Sequence, residues 1–488
     1  MDPINSELAR LIDLLQHESK EEAEKLAITI TEKFPEHTFA WKVLGALFTE
    51  TGRLSEALDV KKKSVELDSQ DADSHYNLGN AFNDMGRLEE AETSYKKSIS
   101  LNPDFAASHN ALGMILKLLN KLKESELCYR KAVLLDSDFA IAYYNMGITQ
   151  NALLKSKEAE TSYKKAITIK GDFFQAYNNL GNLLKGLNRM EEAEVSYKKA
   201  IAINSDFTEA HINLGGLLKD IHRYQEALKH FDLVNNHYTK SQGLECLYKS
   251  ESYIEFNERL NSMALEESIN IRVAALSAFA SHQLKKDDPY PFCKNPLDFI
   301  VVENLSNYDL HTDSLIDGVL EEAENYKLTW ESRTTKSGFQ GQNNLFDNPS
   351  ELVSRIELII GNSIDRYFTR FNSESNTFIN SWPKKSKLTG WYNKLLKNGY
   401  QTAHIHPGGW LSGVLYLKTP ESLNSDEGAI ELSLHGYELP IKDKNYPRKI
   451  YNPKKGDIVL FPSSLFHRTI PFTSDTKRCV IAFDLEPL

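Results

Sequence analysis

Gly399-Tyr-Gln-Thr-Ala-His404-Ile-His406-Pro-Gly-Gly-Trp-Leu-Ser-Gly-Val-Leu-Tyr-Leu417 places two histidines one residue apart, ahead of a glycine-rich corner and an apolar run. Side chains at i and i+2 of a strand point to one face, so an extended backbone aims both imidazoles into one space. Imidazole is the commonest metal-binding side chain, and two that converge suit an ion. Pro407-Gly408-Gly409 then turns the chain, and Val414-Leu415-Tyr416-Leu417 reads as a second strand. Farther out, a third histidine closes Gly456-Asp457-Ile-Val-Leu-Phe-Pro-Ser-Ser-Leu-Phe-His467, and Arg478 follows eleven positions later on another strand-like run. One His-x-His pair says little, because most histidines in β-rich domains pack or face water. The order His-x-His, strand, Gly-Asp-strand-His is more specific and predicts a metal site on His404, His406 and His467.

The chain has 488 residues, 41% hydrophobic and 26% charged, which fits a soluble globular protein with room for two or three domains. A net charge of −11 argues against a general nucleic-acid or anionic-membrane partner. Cys128, Cys246, Cys293 and Cys479 are scattered and form no Cys-x-x-Cys pair, so neither a zinc knuckle nor a disulfide scaffold is indicated. Met1-Asp-Pro-Ile-Asn-Ser-Glu7 has no basic or apolar leader pattern, and no run approaches the roughly 18 apolar residues that span a membrane. Reduced thiols in a soluble, cytoplasmic protein are expected.

The first half is periodic. Glycines recur every 34 residues at Gly45, Gly79, Gly113, Gly147, Gly181 and Gly215. Ala23, Ala57, Ala91, Ala159, Ala193 and Ala227 keep the same period, with Ser125 in the slot between. Aromatics stand four residues beyond, at Tyr95, Tyr129, Tyr163, Tyr197 and Phe231. This pattern resembles the tetratricopeptide repeat (TPR), a pair of antiparallel helices in which small residues sit at the closest approach. One pair cannot bury its apolar face alone, so the resemblance implies an all-α superhelix of stacked units. Six clear repeats run from about Glu36 to Asn236, after an incomplete one. Asn77, Asn145, Asn179 and Asn213 each precede a repeat glycine by two residues. They are similar to the asparagine ladder on the concave face of O-linked N-acetylglucosamine transferases, which implies a protein or peptide partner held through its backbone. Local hydrogen bonding between helices is the other reading.

A composition shift at Lys285-Lys286-Asp287-Asp288-Pro289-Tyr290-Pro291 ends the helical half. Beyond it a strand is predicted at 299–302, helices at about Leu310–Asn325 and Asn348–Phe371, and strands at 387–394, 402–406, 411–417, 429–434, 457–462 and 478–485. Short strands with flanking helices indicate a jelly-roll or double-stranded β-helix. Trp391-Tyr392-Asn393, Gly399, His404-Ile-His406, Ser412-Gly413, Gly456-Asp457, Phe461-Pro-Ser463, His467 and Arg478 together resemble the Fe(II)/2-oxoglutarate-dependent oxygenases. The resemblance covers about residues 292–488. It implies Fe(II) on His404, His406 and His467, with 2-oxoglutarate and O2 as co-substrates. Arg478 would pair with the far carboxylate of 2-oxoglutarate, and Tyr392, Asn393 and Ser412 would hydrogen-bond around it. The usual triad in that superfamily is two histidines and one carboxylate; here His406 stands in the carboxylate position. Asp426, Glu427 or Glu431 would be the alternative oxygen donors, and a zinc site of three histidines or an open-position site as in halogenating relatives are further readings.

The expected architecture is therefore a TPR superhelix over 1–237, a degenerate repeat or helical cap and linker over 238–288, and an oxygenase domain over 289–488. The function implied is a hydroxylase with a partner-binding array. The alternative is a non-catalytic TPR scaffold carrying a degenerate oxygenase fold, since fold alone does not establish activity.

Overall fold

A computed structural model describes residues 3–17, 19–266, 269–308, 311–330, 334–420 and 426–488. The chain forms two compact units, Met1–Leu217 and Leu218–Leu488.

In the first unit, helices of 13 and 14 residues alternate: Thr38–Glu50 with Leu54–Leu67, Ala72–Asp84 with Leu88–Leu101, Ala106–Leu118 with Leu122–Leu135, Ala140–Ala152 with Ser156–Ile169, and Phe174–Gly186 with Met190–Ile203. The period has a steric cause. A Cβ added at Gly79 would stand 2.6 Å from the Tyr95 ring, and one at Gly181 2.6 Å from the Tyr197 ring. Ala91, Ala159 and Ala193 are fully buried, and Ser125 in the same slot donates to the Gly113 carbonyl at 2.7 Å. Neighbouring repeats are also tied by ion pairs 29 residues apart. Lys121 reaches Glu92 at 2.8 Å, Lys155 reaches Glu126 at 2.5 Å and Arg189 reaches Glu160 at 2.6 Å. Each of these carboxylates takes a second cation on its own helix: Lys96, Arg130 and Lys164 respectively.

The second unit opens with helices Tyr224–Val234, His237–Lys249, Tyr253–Ala264 and Ile271–Leu284. The stretch expected as a helical cap is broken at 250–252, where Glu251 turns to φ 58°. These helices dock on the β-rich part. Gln283 donates to the Asp443 carbonyl at 2.9 Å and accepts from the backbone N–H groups of Lys442 and Asp443 at 2.7 and 2.8 Å. Phe279 packs its ring 5.3 Å from that of His435.

Ten strands follow: β1 (Val301–Asn304), β2 (Leu328–Trp330), β3 (Thr335–Gly341), β4 (Ser386–His404), β5 (Leu411–Lys418), β6 (Ile430–Ser433), β7 (Arg448–Tyr451), β8 (Asp457–Pro462), β9 (Phe466–Thr469) and β10 (Arg478–Pro487). They form one curled antiparallel sheet in the order β1-β8-β5-β10-β4-β9-β6-β7, with β3 and β2 branching from β4. This is a jelly-roll-like domain. Its core gathers Val414, Tyr416, Ile430, Leu432, Val459, Phe461 and Val480 from opposing strands.

Three boundaries differ from the sequence reading. The strands predicted at 387–394 and 402–406 are one, because Asn398 takes φ 61° and donates to the Phe472 carbonyl at 2.8 Å, so pairing continues through an apparent turn. The long helix is capped by Ser350, which accepts from Val353 N–H at 3.1 Å, and starts at Glu351 rather than at Asn348. The preceding helix is Thr312–Ala323; Leu310, its predicted start, lies outside the described residues.

Candidate metal centre

β4 and β9 run antiparallel with His404 directly opposite His467. His406 stands just past the end of β4, held by its own N–H to the Ser463 carbonyl at 3.4 Å and by Gly409 N–H, which donates to the His406 carbonyl at 3.1 Å. Gly409 must stay small: an added Cβ would sit 2.8 Å from Ser463 Oγ and 3.1 Å from Asp484 Cγ. The three imidazoles converge, with one ring nitrogen from each within 4.8 Å of the others. Ring centroids lie 4.4 to 5.2 Å apart.

Second contacts set which nitrogen each ring presents. His404 Nδ1 faces the Thr402 carbonyl at 2.6 Å and His467 Nδ1 the Leu465 carbonyl at 3.4 Å. A carbonyl only accepts, so both Nδ1 atoms carry the proton and both Nε2 lone pairs are free. His406 Nδ1 donates to Asp484 Oδ1 at 2.6 Å. Ser412 Oγ donates to the same oxygen at 2.6 Å and lies 2.8 Å from Ser463 Oγ. A carboxylate behind an imidazole fixes its tautomer and raises its basicity as a ligand. Burial, and next the neighbouring His406, pushes the His404 pKa down to about 4. Burial also holds His467 well below its usual value, followed by His404 and His406. Neutral imidazoles are what a metal requires.

A cavity of about 210 Å³ is lined by all three histidines, by Trp391, Val414, Val480 and Ala482, and by Arg478. Arg478 is 1% exposed. Its Nη2 donates to the Tyr416 hydroxyl at 3.1 Å, but its Nε and Nη1 are buried without a hydrogen-bond partner. An unpaired buried guanidinium is costly unless something brings it negative charge.

The other predicted residues divide. Asn393 lies two positions from Trp391 on the same strand face, fully buried, with both amide atoms unpartnered. Ser412 buttresses His406 through Asp484 and does not line the cavity. Tyr392 turns the other way, because successive strand residues alternate faces; its ring packs 5.8 Å from Tyr326. No carboxylate joins the histidines among the described residues. Glu431 is one residue out of phase with Leu432, the partner of His467, and binds Arg468 at 2.7 Å on the opposite face. Glu427 bonds Thr473, and Asp426 is exposed. The sequence reading missed Asp484. In the repeats, Asn145 donates to Asn110 at 3.2 Å, Asn179 to the Tyr144 hydroxyl at 3.0 Å and Asn213 to Asn178 at 2.9 Å. The ladder thus links successive units; Asn77 is half-buried at the same position of its helix.

Residues 389–484 match the family model described as "Putative 2OG-Fe(II) oxygenase". Residues 45–86, 72–105, 106–139, 140–173 and 174–207 match tetratricopeptide-repeat models. Among solved structures, the chain is similar to MamA, at 25% identity over 33% of this chain and 95% of that one, with a TM-score of 0.32. It is also similar to YrrB, described as a TPR protein with an unusual peptide-binding site, at 22% identity over 38% of this chain and 95% of that one, TM-score 0.33. A third is pilF of Pseudomonas aeruginosa, at 19% identity over 45% of this chain and 94% of that one, TM-score 0.36. No curated protein sequence matches. Among the described residues no helix is long and apolar enough to cross a membrane.

Proposed function

We propose that the protein is an Fe(II)- and 2-oxoglutarate-dependent oxygenase, a hydroxylase, whose TPR array holds a protein or peptide partner or substrate. The observation that carries this reading is the bare guanidinium of Arg478 in the cavity that the three histidines line. The donor set fits the metal: ring nitrogens of His404, His406 and His467 converge, burial keeps His404 and His467 uncharged, and imidazole is a good Fe(II) ligand. When bound, iron with O2 and 2-oxoglutarate supplies the oxidation of a C–H bond.

The chain's own residues do the rest. Asp484 holds the His406 proton on Nδ1, and Ser412 holds Asp484. Arg478, steadied by Tyr416, receives the far carboxylate of 2-oxoglutarate through Nε and Nη1, a geometry guanidinium favours. Asn393 offers a donor and an acceptor beside it. Trp391, Val414, Val480 and Ala482 give the cavity an apolar wall.

The test is to load the full chain with Fe(II) anaerobically, then admit O2 and follow 2-oxoglutarate consumption and succinate formation. Iron retained at one equivalent with succinate formed supports the reading. Failure to hold iron, or iron held with no turnover in the presence of a captured partner, favours the non-catalytic scaffold.

A further inference from the structure

A second cleft, of about 720 Å³, lies within the Leu218–Leu488 unit, and His404 is part of its wall. Its opposite wall comes from the docked helices and carries Lys219, Glu245, Lys249 and Arg272. Lys219 Nζ lies 3.0 Å from Glu245 Oε2 and donates to Gln242 Oε1 at 2.5 Å, while Lys249 Nζ lies 3.0 Å from Glu245 Oε1. Both oxygens of the one buried carboxylate are therefore taken. Arg272 is left over. Its Nε is buried without a hydrogen-bond partner, and its guanidinium lies 4.4 Å over the Tyr437 ring. On this wall three cations face one buried carboxylate, the second acid, Asp220, being exposed. Burial lowers the Lys219 pKa, and although Glu245 opposes this, Arg272 and Lys249 add to it. Of the remaining acids of the cleft, Glu431 answers Arg468 at 2.7 Å, and Asp220 and Glu438 are exposed to water, while Lys336 adds a further cation. A half-buried surplus of positive charge is costly by itself and favours the arrival of an anion.

We propose that this cleft seats the substrate, and that Arg272, with Lys219 and Lys249 beside it, binds an oxyanion on a peptide side chain, a carboxylate or a phosphate. Its direction toward His404 rests on the oxygenase reading; the anion seat itself does not. Arg272 stacked on an aromatic ring is pre-set for such a contact, since guanidinium is weakly hydrated and forks onto oxyanions.

The experiment uses the full chain stripped of metal with EDTA, immobilised, and offered short randomised peptides whose central residue is fixed as Glu, phosphoserine or Gln. The wild type should retain one anionic set about tenfold over the Gln set, the value of one charged hydrogen bond. Glu over phosphoserine, or the reverse, identifies the oxyanion. Arg272→Met and Lys249→Met should each erase the preference, and Arg272→Lys should restore part of it. An equal Gln set on the wild type, or an undiminished preference in a folded Arg272→Met or Lys249→Met protein, overturns the proposal. Two variants guard against one that fails to fold. Anionic preference without 2-oxoglutarate turnover keeps the seat and sinks the oxygenase reading.

Discussion

The buried glutamates of the repeat array and the buried Arg478 of the β-rich domain are treated in opposite ways. In the repeat array, Glu92 and Glu126 are buried and each is met by two cations, one on its own helix and one from the next repeat. In the β-rich domain, Arg478 is as deeply buried and meets only a tyrosine hydroxyl. The array's buried charges are spent on holding its units in register. In the β-domain Glu431 and Asp484 are answered too, but Arg478 is left open toward a cavity. The contrast teaches where to look for ligand: an unanswered buried charge marks a site better than a conspicuous surface group does.

The sharpest way to break this contrast is His467→Ala, which should abolish Fe(II) binding in anaerobic titration while the helical signal stays intact. His406→Asp should bind Fe(II) at least as well as the wild type, since it restores a two-histidine, one-carboxylate set; iron still held by His406→Ala would remove His406 from the ligands. Arg478→Met comes next. It should weaken 2-oxoglutarate binding by roughly 10- to 150-fold with iron retained, and should leave the metal-free protein as stable or more stable, because a bare buried cation is gone. A fall in melting temperature would mean that Arg478 is already paid back within the fold. Asp484→Asn should cost about 10- to 100-fold in metal affinity, the usual effect of removing a group behind a ligand.

Acid separates the halves with a smaller effect. His404 titrates at about 4 when folded against 6.5 ordinarily. Between those values the unfolded chain binds a proton that the folded one does not, so metal-free stability is full above about 6.5 and declines toward 4. The side chains of Lys121 and Lys96 hold Glu92 below the usual carboxylate range, and Arg189 and Lys164 do the same for Glu160. Their contribution is present above 4.5 and fades only below it. Four of the five tryptophans, Trp330, Trp382, Trp391 and Trp410, lie in the second unit and Trp41 in the first, so most of the change in tryptophan fluorescence should come at higher pH than that in helical circular dichroism. Coincident transitions would erase the distinction. Smallest of all, Glu126→Gln should destabilise the array by about 1 kcal/mol, as its partners are half-exposed.

Much of this was legible in the sequence, for reasons particular to each part. The repeats were readable because one close approach, glycine against tyrosine, recurs at a fixed period. His404 and His406 were readable from their i, i+2 spacing, although His406 falls just past the end of β4, and Arg478 was readable through the family resemblance. Asp484 was not, since nothing local tells that an aspartate within Val480–Leu485 points inward at an imidazole; only the pairing of β10 with β5, Asp484 opposite Ser412, shows it. Tyr392 and Asn393 are neighbours, so whichever faces the cavity, the other cannot. The short strands β2, β3, β7 and β9 carry too little pattern to be seen alone, and β9 exists because β4 and β6 pair with it on both sides.

The position of β10 has a consequence for assembly. It lies between β5 and β4 in the middle of the sheet, and it carries both Arg478 and Asp484. Until it inserts, β4 and β5 have no common neighbour, the guanidinium is absent from the cavity and His406 has nothing to fix its proton. Insertion of one strand therefore completes the sheet, brings Arg478 to the cavity and sets Asp484 behind His406. The proposed iron and co-substrate sites thus depend on one strand, and a chain without β10 in place has the histidines but neither the guanidinium nor the carboxylate that serve them.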